Sequence, residues 1–281
     1  MDNIFCIFIY ICIWYNMFDI KSKNSHGKAL IVGINYTNTP NQLYGCINDG
    51  ETVNNMARKH YGFRDRDIIF LRDDVPDATR LPTKENILQS LKSIVAESDK
   101  LRDIWFHYSG HGASTIDRSG DELDGMDEFL IPCDFERNGI ILDDDLFDII
   151  SEAKCPVFLT MDCCHSGTVV DLPYSFDVTK YGLARRVENR KTVANQHIYM
   201  LSGCQDSQTS DDVQYEGKPE GAFTKALYDS LERNNFEVNL IDLFVSVRSI
   251  LHLRGHSQKT ILSSSNPLPH MKLKCVKQSL L

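Results

Sequence analysis

Asp103-Ile104-Trp105-Phe106-His107-Tyr108-Ser109-Gly110-His111-Gly112 and Pro156-Val157-Phe158-Leu159-Thr160-Met161-Asp162-Cys163-Cys164-His165-Ser166-Gly167 are the two stretches whose reading decides the fold. Each is an apolar strand that runs into a small-residue turn carrying reactive side chains. In a parallel sheet the carboxyl ends of neighbouring strands form one edge, and ligands bind there. A histidine and a cysteine distant in sequence are thereby presented side by side, which is the minimum equipment for thiol nucleophilic catalysis.

Outward from these two stretches the chain alternates strand and helix. Lys28 to Ile34, Asp67 to Leu71 and His197 to Leu201 read as further strands, and Met271 to Lys274 as a last one. Helices are expected from Cys46 to Tyr61, from Lys84 behind a Thr83 cap, from Asp143 to Ala153, from Ala222 to Glu232 and from Leu240 to Leu253, each with apolar residues at helical spacing. The pattern is α/β: a single, mainly parallel, six-stranded sheet with helices on both faces. Ser114 to Asp127 and Val169 to Asn195 read as the least regular stretches, placed directly after the two key motifs as substrate-binding loops are.

The chain has 281 residues, of which 42% are hydrophobic and 25% charged, and its formal net charge is −9. That is an ordinary globular composition with room for a large core. Net acidity argues against a nucleic-acid partner. The 9 cysteines are odd in number and show neither a disulfide framework nor paired metal-binding spacings, which fits a reducing, cytoplasmic setting. Residues 1–24 form an apolar extension. Its 4–18 stretch lacks the basic start and small-residue cleavage site of a secretory signal and is short for a membrane span, so membrane contact through it is not the expected reading.

Peptide-bond cleavage by a thiol needs a thiolate, a proton shuttle and oxyanion donors. Cys164 sits at a strand-to-turn junction, where converging backbone N–H groups lower a thiol's pKa. Cys163 neighbours it, and because side chains alternate only one of the two faces the site. His111 can hold the proton and return it to the leaving amine. His107, deeper in the same strand, suits a core hydrogen bond. The N–H groups of Gly112 and Cys164 can form an oxyanion hole. A zinc site from Cys163, Cys164 and His165 is excluded in practice, because adjacent residues cannot converge on one tetrahedral ion.

These segments resemble the two signatures of the metacaspases, caspase-like cysteine peptidases of protists, fungi and plants. The likeness extends over Gly45 to Asp49, Asp124 to Glu128, Ile131 to Asp134, Asp143 to Leu146, Ser202 to Asp206 and Gly221 to Thr224, and so covers about 28–274. It implies a caspase-like fold in a peptidase domain over 25–278, with a large-subunit-like part over 25–180, a small-subunit-like part over 195–278, and a monomeric state. It implies that Cys164, directly before His-Ser-Gly, is the nucleophile and His111 the general acid/base. The non-catalytic alternative, a caspase-like scaffold, would be marked by loss of Cys or His, and neither is lost.

Charge bears on specificity. Asp162 precedes the nucleophile and Asp49 lies early in the first helix; two carboxylates in one pocket favour a basic side chain, Arg above all. The resemblance adds Cys46 and Ser109 to Asp49 and Asp162 as the lining of an S1 pocket, and implies cleavage of protein or peptide substrates after Arg or Lys. A second, acidic stretch runs through Asp121, Glu122, Asp124, Asp127, Glu128 and Asp143 to Asp145. Composition alone makes it a solvated acidic surface. The resemblance instead implies an activating Ca²⁺ held by Asp127, Asp143, Asp144 and Asp171. The basic stretch from Lys180 to Lys191 reads as an exposed loop and a candidate for self-cleavage.

Overall fold

The computed structural model describes residues 26–116, 126–163, 169–180, 182–189, 191–204, 212–215, 218–256 and 258–276. The apolar stretch 4–18 and the Cys164-His165-Ser166-Gly167 turn lie outside the described residues. Among the described residues no helix is long and apolar enough to cross a membrane.

Three strands form the middle of the main sheet: β1 (Lys28–Gly33), β3 (Ile104–Ser109) and β7 (Val157–Asp162). Every residue of β3 and β7 is buried, which is why they are near-continuous apolar runs. β2 (Ile68–Arg72) flanks them on one side and β10 (Ile198–Cys204) on the other, all five strands being parallel. The sheet then continues antiparallel through β14 (Lys259–Ser264), β8 (Tyr174–Thr179) and β9 (Gly182–Val187). It therefore has eight strands where six were expected. The Met271–Lys274 strand belongs elsewhere: β15 (Lys272–Leu273) pairs with β13 (Val238–Asn239) in a separate two-stranded sheet.

Alternating residues of the central strands feed two cores. Leu30, Val32, Phe106, Tyr108, Leu159 and Met161 join Ile87 and Leu91 of α2 (Lys84–Ala96) and Leu146 and Ile149 of α4 (Asp143–Ile150). On the other face, Ala29, Ile31, Trp105 and Phe158 meet α1 (Cys46–Tyr61), α5 (Ala222–Arg233) and α6 (Leu240–Leu253). The helices thus cover both faces, and a single turn of helix, α3 (Phe135–Asn138), precedes α4. Thr83 caps α2 through the Asn86 N–H at 3.1 Å, as its sequence position implies. His107 is fully buried, its Nδ1 2.9 Å from the Thr160 hydroxyl, and burial lowers its pKa to about 3, so it is a neutral core residue.

Register positions the site. Gly33, Ser109 and Asp162 lie in one row at the carboxyl edge of the sheet. A Cβ on Gly33 would sit 2.6 Å from the Cys46 carbonyl oxygen, so the glycine is what allows α1 to start directly over this edge.

Candidate active site

His111 follows β3 after one glycine and precedes β4 (Gly112–Ile116), which pairs antiparallel with β5 (Met126–Leu130); β5 in turn pairs with β6 (Ile141–Leu142). Two buried tyrosines clamp its backbone. The His111 N–H donates to the Tyr36 hydroxyl at 2.9 Å, and the Tyr108 hydroxyl donates to the His111 carbonyl at 2.8 Å. The Tyr36 hydroxyl itself donates to the Ile131 carbonyl at 2.6 Å. The Tyr36 ring lies 4.6 Å from the imidazole centroid to centroid.

The imidazole Nε2 is 2.8 Å from the Asn41 carbonyl oxygen. A carbonyl only accepts, so Nε2 carries the proton and Nδ1 is the nitrogen able to take one up. A main-chain oxygen thus orients the histidine as a third group does in a catalytic triad. Sequence reasoning found neither Tyr36 nor Asn41, because a backbone carbonyl supplied by a loop leaves no residue-type signal.

Of the four residues expected to line S1, Asp49, Ser109 and Asp162 come together. Asp49, in the first turn of α1, accepts from the Ser109 hydroxyl at 2.7 Å and from the Gly221 N–H at 2.7 Å. Asp162 accepts from both the N–H and the hydroxyl of Thr224, at 2.9 and 2.7 Å. Cys46, the first residue of α1, is buried in the core cluster that holds Tyr36 and Tyr108. Gly221 ends β12 (Lys218–Gly221), which pairs with β11 (Asp212–Tyr215). A Cβ on Gly221 would lie 2.3 Å from an Asp162 oxygen and 2.6 Å from an Asp49 oxygen, so both carboxylates converge on this one glycine. Burial, reinforced by the Asp162 charge, pushes the Asp49 carboxyl well above the usual carboxylate range. A buried pair of this kind is best relieved by a cation.

Thr224 lies in the first turn of α5, so Asp162 also sits at a helix N-terminus, where backbone N–H groups favour negative charge. Thr224→Val removes only the hydroxyl donor. It is expected to lower kcat/KM on an Arg reporter about tenfold, mostly through KM, with Thr224→Ser restoring it; this is the loss of one hydrogen bond to a charged group. An unchanged KM in the valine variant would remove Thr224 from the pocket.

Of the residues expected to hold Ca²⁺, Asp143 and Asp171 come together in a cluster that Glu128 joins. Among the described residues, ligand atoms of Glu128, Asp143 and Asp171 lie within 4.8 Å of one another, all three residues buried. Asp143 opens α4 and accepts from the Glu128 N–H at 2.6 Å. Burial and the nearby Asp171 charge push its pKa up to about 7, with Asp127 contributing more weakly. Asp127 is thus close as well, and Glu128 adds a converging carboxylate. Asp144 reaches the cluster through Lys191, whose Nζ lies 2.8 Å from both Asp144 and Asp171. Asp121, Glu122 and Asp124 lie outside the described residues. All-oxygen donors of this density suit a hard cation such as Ca²⁺, and an ammonium is already drawn to them.

Residues 27–173 match the family model of the metacaspase peptidase C14 domain. Metacaspase-1 of Debaryomyces hansenii is 32% identical over 297 residues, spanning 89% of this chain and 67% of that protein. Metacaspase-1 of Saccharomyces cerevisiae is 35% identical over 290 residues, spanning 86% of this chain and 67% of that protein. Caspase-1 from Spodoptera frugiperda shares the fold, with a TM-score of 0.58 at 14% identity over 92% of each chain. The fold and sequence together define a caspase-like cysteine-type peptidase. The chain belongs to the metacaspase family.

Proposed function

We propose that this peptidase cleaves proteins after Arg or Lys with a Cys164–His111 dyad and is stimulated by Ca²⁺. The observation that carries the specificity is the convergence of the buried carboxylates of Asp49 and Asp162 at Gly221, on the sheet edge. A guanidinium presents a planar fork of donors to such a pair and neutralises it.

In the proposed reaction the thiol proton passes to His111 Nδ1 and the sulfur attacks the scissile carbonyl carbon, forming a C–S bond. The N–H groups of Gly112 and Cys164 receive the oxyanion. His111 then protonates the leaving amine as the C–N bond breaks, and a water molecule, deprotonated by His111, releases the acyl group. Asp127, Asp143, Asp144 and Asp171, with Glu128 beside them, would hold Ca²⁺, which would offset their charge and order the segment that follows the Cys164 turn without supplying chemistry to the peptide bond. Val169, Val170 and Leu172 around Asp171 are buried, which supports that coupling.

Self-processing belongs to the same proposal, and within the basic stretch Lys180 is the residue proposed for it. The basic stretch expected to be a loop contains β9, an exposed edge strand paired with β8, so Arg185 and Arg186 are within regular structure. Lys180, exposed in the turn between the two strands, is a basic residue of this stretch that lies outside strand pairing. A role in cell-death or stress proteolysis in a reducing, cytoplasmic setting follows by family association.

Purified protein assayed on peptide reporters ending in Arg, Lys or Asp, with calcium and with chelator, tests this reading. Cleavage of Arg and Lys reporters is expected only with calcium, and none of the Asp reporter. Full activity in chelator would sink the calcium part, and cleavage after Asp would sink the S1 assignment.

A further inference from the structure

We propose that Lys191 is a built-in cation of the acidic site: its ammonium holds the carboxylates until a divalent ion displaces it, so that metal entry releases the segment behind β9. The inference rests on the calcium reading above and adds its regulation.

Lys191 Nζ is 2.8 Å from Asp144 Oδ1 and 2.8 Å from Asp171 Oδ2, and only 17% of the side chain is exposed. The same ammonium lies 5.0 Å from the centre of the Phe147 ring, a cation–π position on the outer side of α4. The backbone is docked too. The Lys191 N–H donates to Asn189 Oδ1 at 3.0 Å, and Asn189 Nδ2 donates to the Asp171 carbonyl at 2.8 Å. One carboxylate residue, Asp171, is therefore gripped by two residues of one short segment. Its φ of 44° places it in the left-handed region, so the geometry that presents its oxygens is set by these partners.

The oxygens facing the ammonium are those a metal would use. Glu128, Asp143 and Asp171 form one buried carboxylate cluster, and Asp144 adjoins it. A single positive charge leaves such a cluster strongly negative, whereas a divalent ion with several oxygen ligands neutralises more of it. A divalent ion ligated by Asp171 would stand beside the Lys191 ammonium, which lies 2.8 Å from Asp171 Oδ2, and the two cations would repel. Calcium and the lysine thus compete for these carboxylates, and calcium affinity is set below what the carboxylates alone would give. The segment freed on metal entry is the one that follows β9, the strand that runs on from the turn carrying Lys180.

The test uses the full chain with Cys164→Ala, which prevents autolysis, and calcium alone as probe. Calorimetric titration is expected to show calcium binding tightened tenfold or more by Lys191→Met, which keeps the aliphatic stem but not the charge. Lys191→Arg, which keeps the charge, is expected to bind no more tightly than the unaltered lysine chain. Amide hydrogen exchange is expected to rise over 182–191 when calcium is added to the chain with Lys191. Equal or weaker binding in Lys191→Met, or equal tightening in Lys191→Arg, overturns the proposal while leaving the calcium site intact. If Lys191→Met does not fold, the exchange measurement decides: no calcium-dependent rise over 182–191 overturns it. Absence of calcium binding in the lysine chain, or binding indifferent to Asp171→Asn, overturns the calcium reading itself and this inference with it.

Discussion

Cys164→Ala is expected to reduce cleavage of an Arg reporter by at least about 10³-fold, while Cys163→Ala leaves it within a few fold. The two residues are adjacent, so the difference is one of direction. Cys163 follows the last residue of β7 with only 4% of its surface exposed and packs into the core beside Val169 and Val170, which makes it a small apolar side chain and not a reagent. His111→Ala is expected to match the loss in Cys164→Ala, and the double variant to lose no more than either single one, because the thiolate and its proton acceptor act as a unit. Burst-phase and steady-state rates on the same reporter measure this. Activity surviving in Cys164→Ala but lost in Cys163→Ala would reverse the assignment.

Asp162→Asn is expected to lower kcat/KM on Arg and Lys reporters by about 10² or more without creating cleavage after Asp. Asp162 accepts two bonds from Thr224 at one oxygen, and an amide presented to them in place of a carboxylate also loses the charge that meets the guanidinium. Asp49→Asn is expected to cause a comparable loss of activity and yet not to lower the melting temperature at pH 7. Burial and the Asp162 charge raise the folded-state pKa of Asp49, so the folded chain binds that proton more tightly than the unfolded chain does. Its carboxylate therefore costs stability above the unfolded pKa, and the cost shrinks as pH falls through the raised value. A neutral amide removes that cost. The check is a pair of thermal melts at pH 7 and pH 5: the gap between variant and native chain should narrow at the lower pH. A variant that melts lower at pH 7 would mean the two bonds to Asp49 outweigh its buried charge.

Much of the architecture was legible because it depends on local chemistry. Cys46–Tyr61 and Leu240–Leu253 begin and end where the apolar spacing and flanking residues put them, and β3 and β7 announce themselves as apolar runs. The antiparallel half of the sheet was not read. β14 is bounded by serine and lysine and carries no long apolar run, and β9, Gly-Leu-Ala-Arg-Arg-Val, is an exposed edge whose basic residues read as loop. β8 shows a period of two in Tyr174, Phe176 and Val178, a signal that was present and passed over. These strands form by pairing with β10 and with each other, a long-range gain that local propensity does not register.

By itself, then, the sequence determined that two apolar strands deliver a histidine and a cysteine to one sheet edge, and through its motifs the family of the chain. That much is local, since a run of buried β-formers ending in glycine dictates strand and turn wherever it lies. Only the tertiary structure decided what surrounds that edge. It brought Asp49 and Asp162 together at Gly221, added Glu128 to the carboxylate cluster, aimed the Asn41 carbonyl at His111 and put Lys191 on Asp171. Each of these is a contact between elements far apart in the chain, fixed by strand register and helix packing, and a residue's type does not name the partner that folding brings to it.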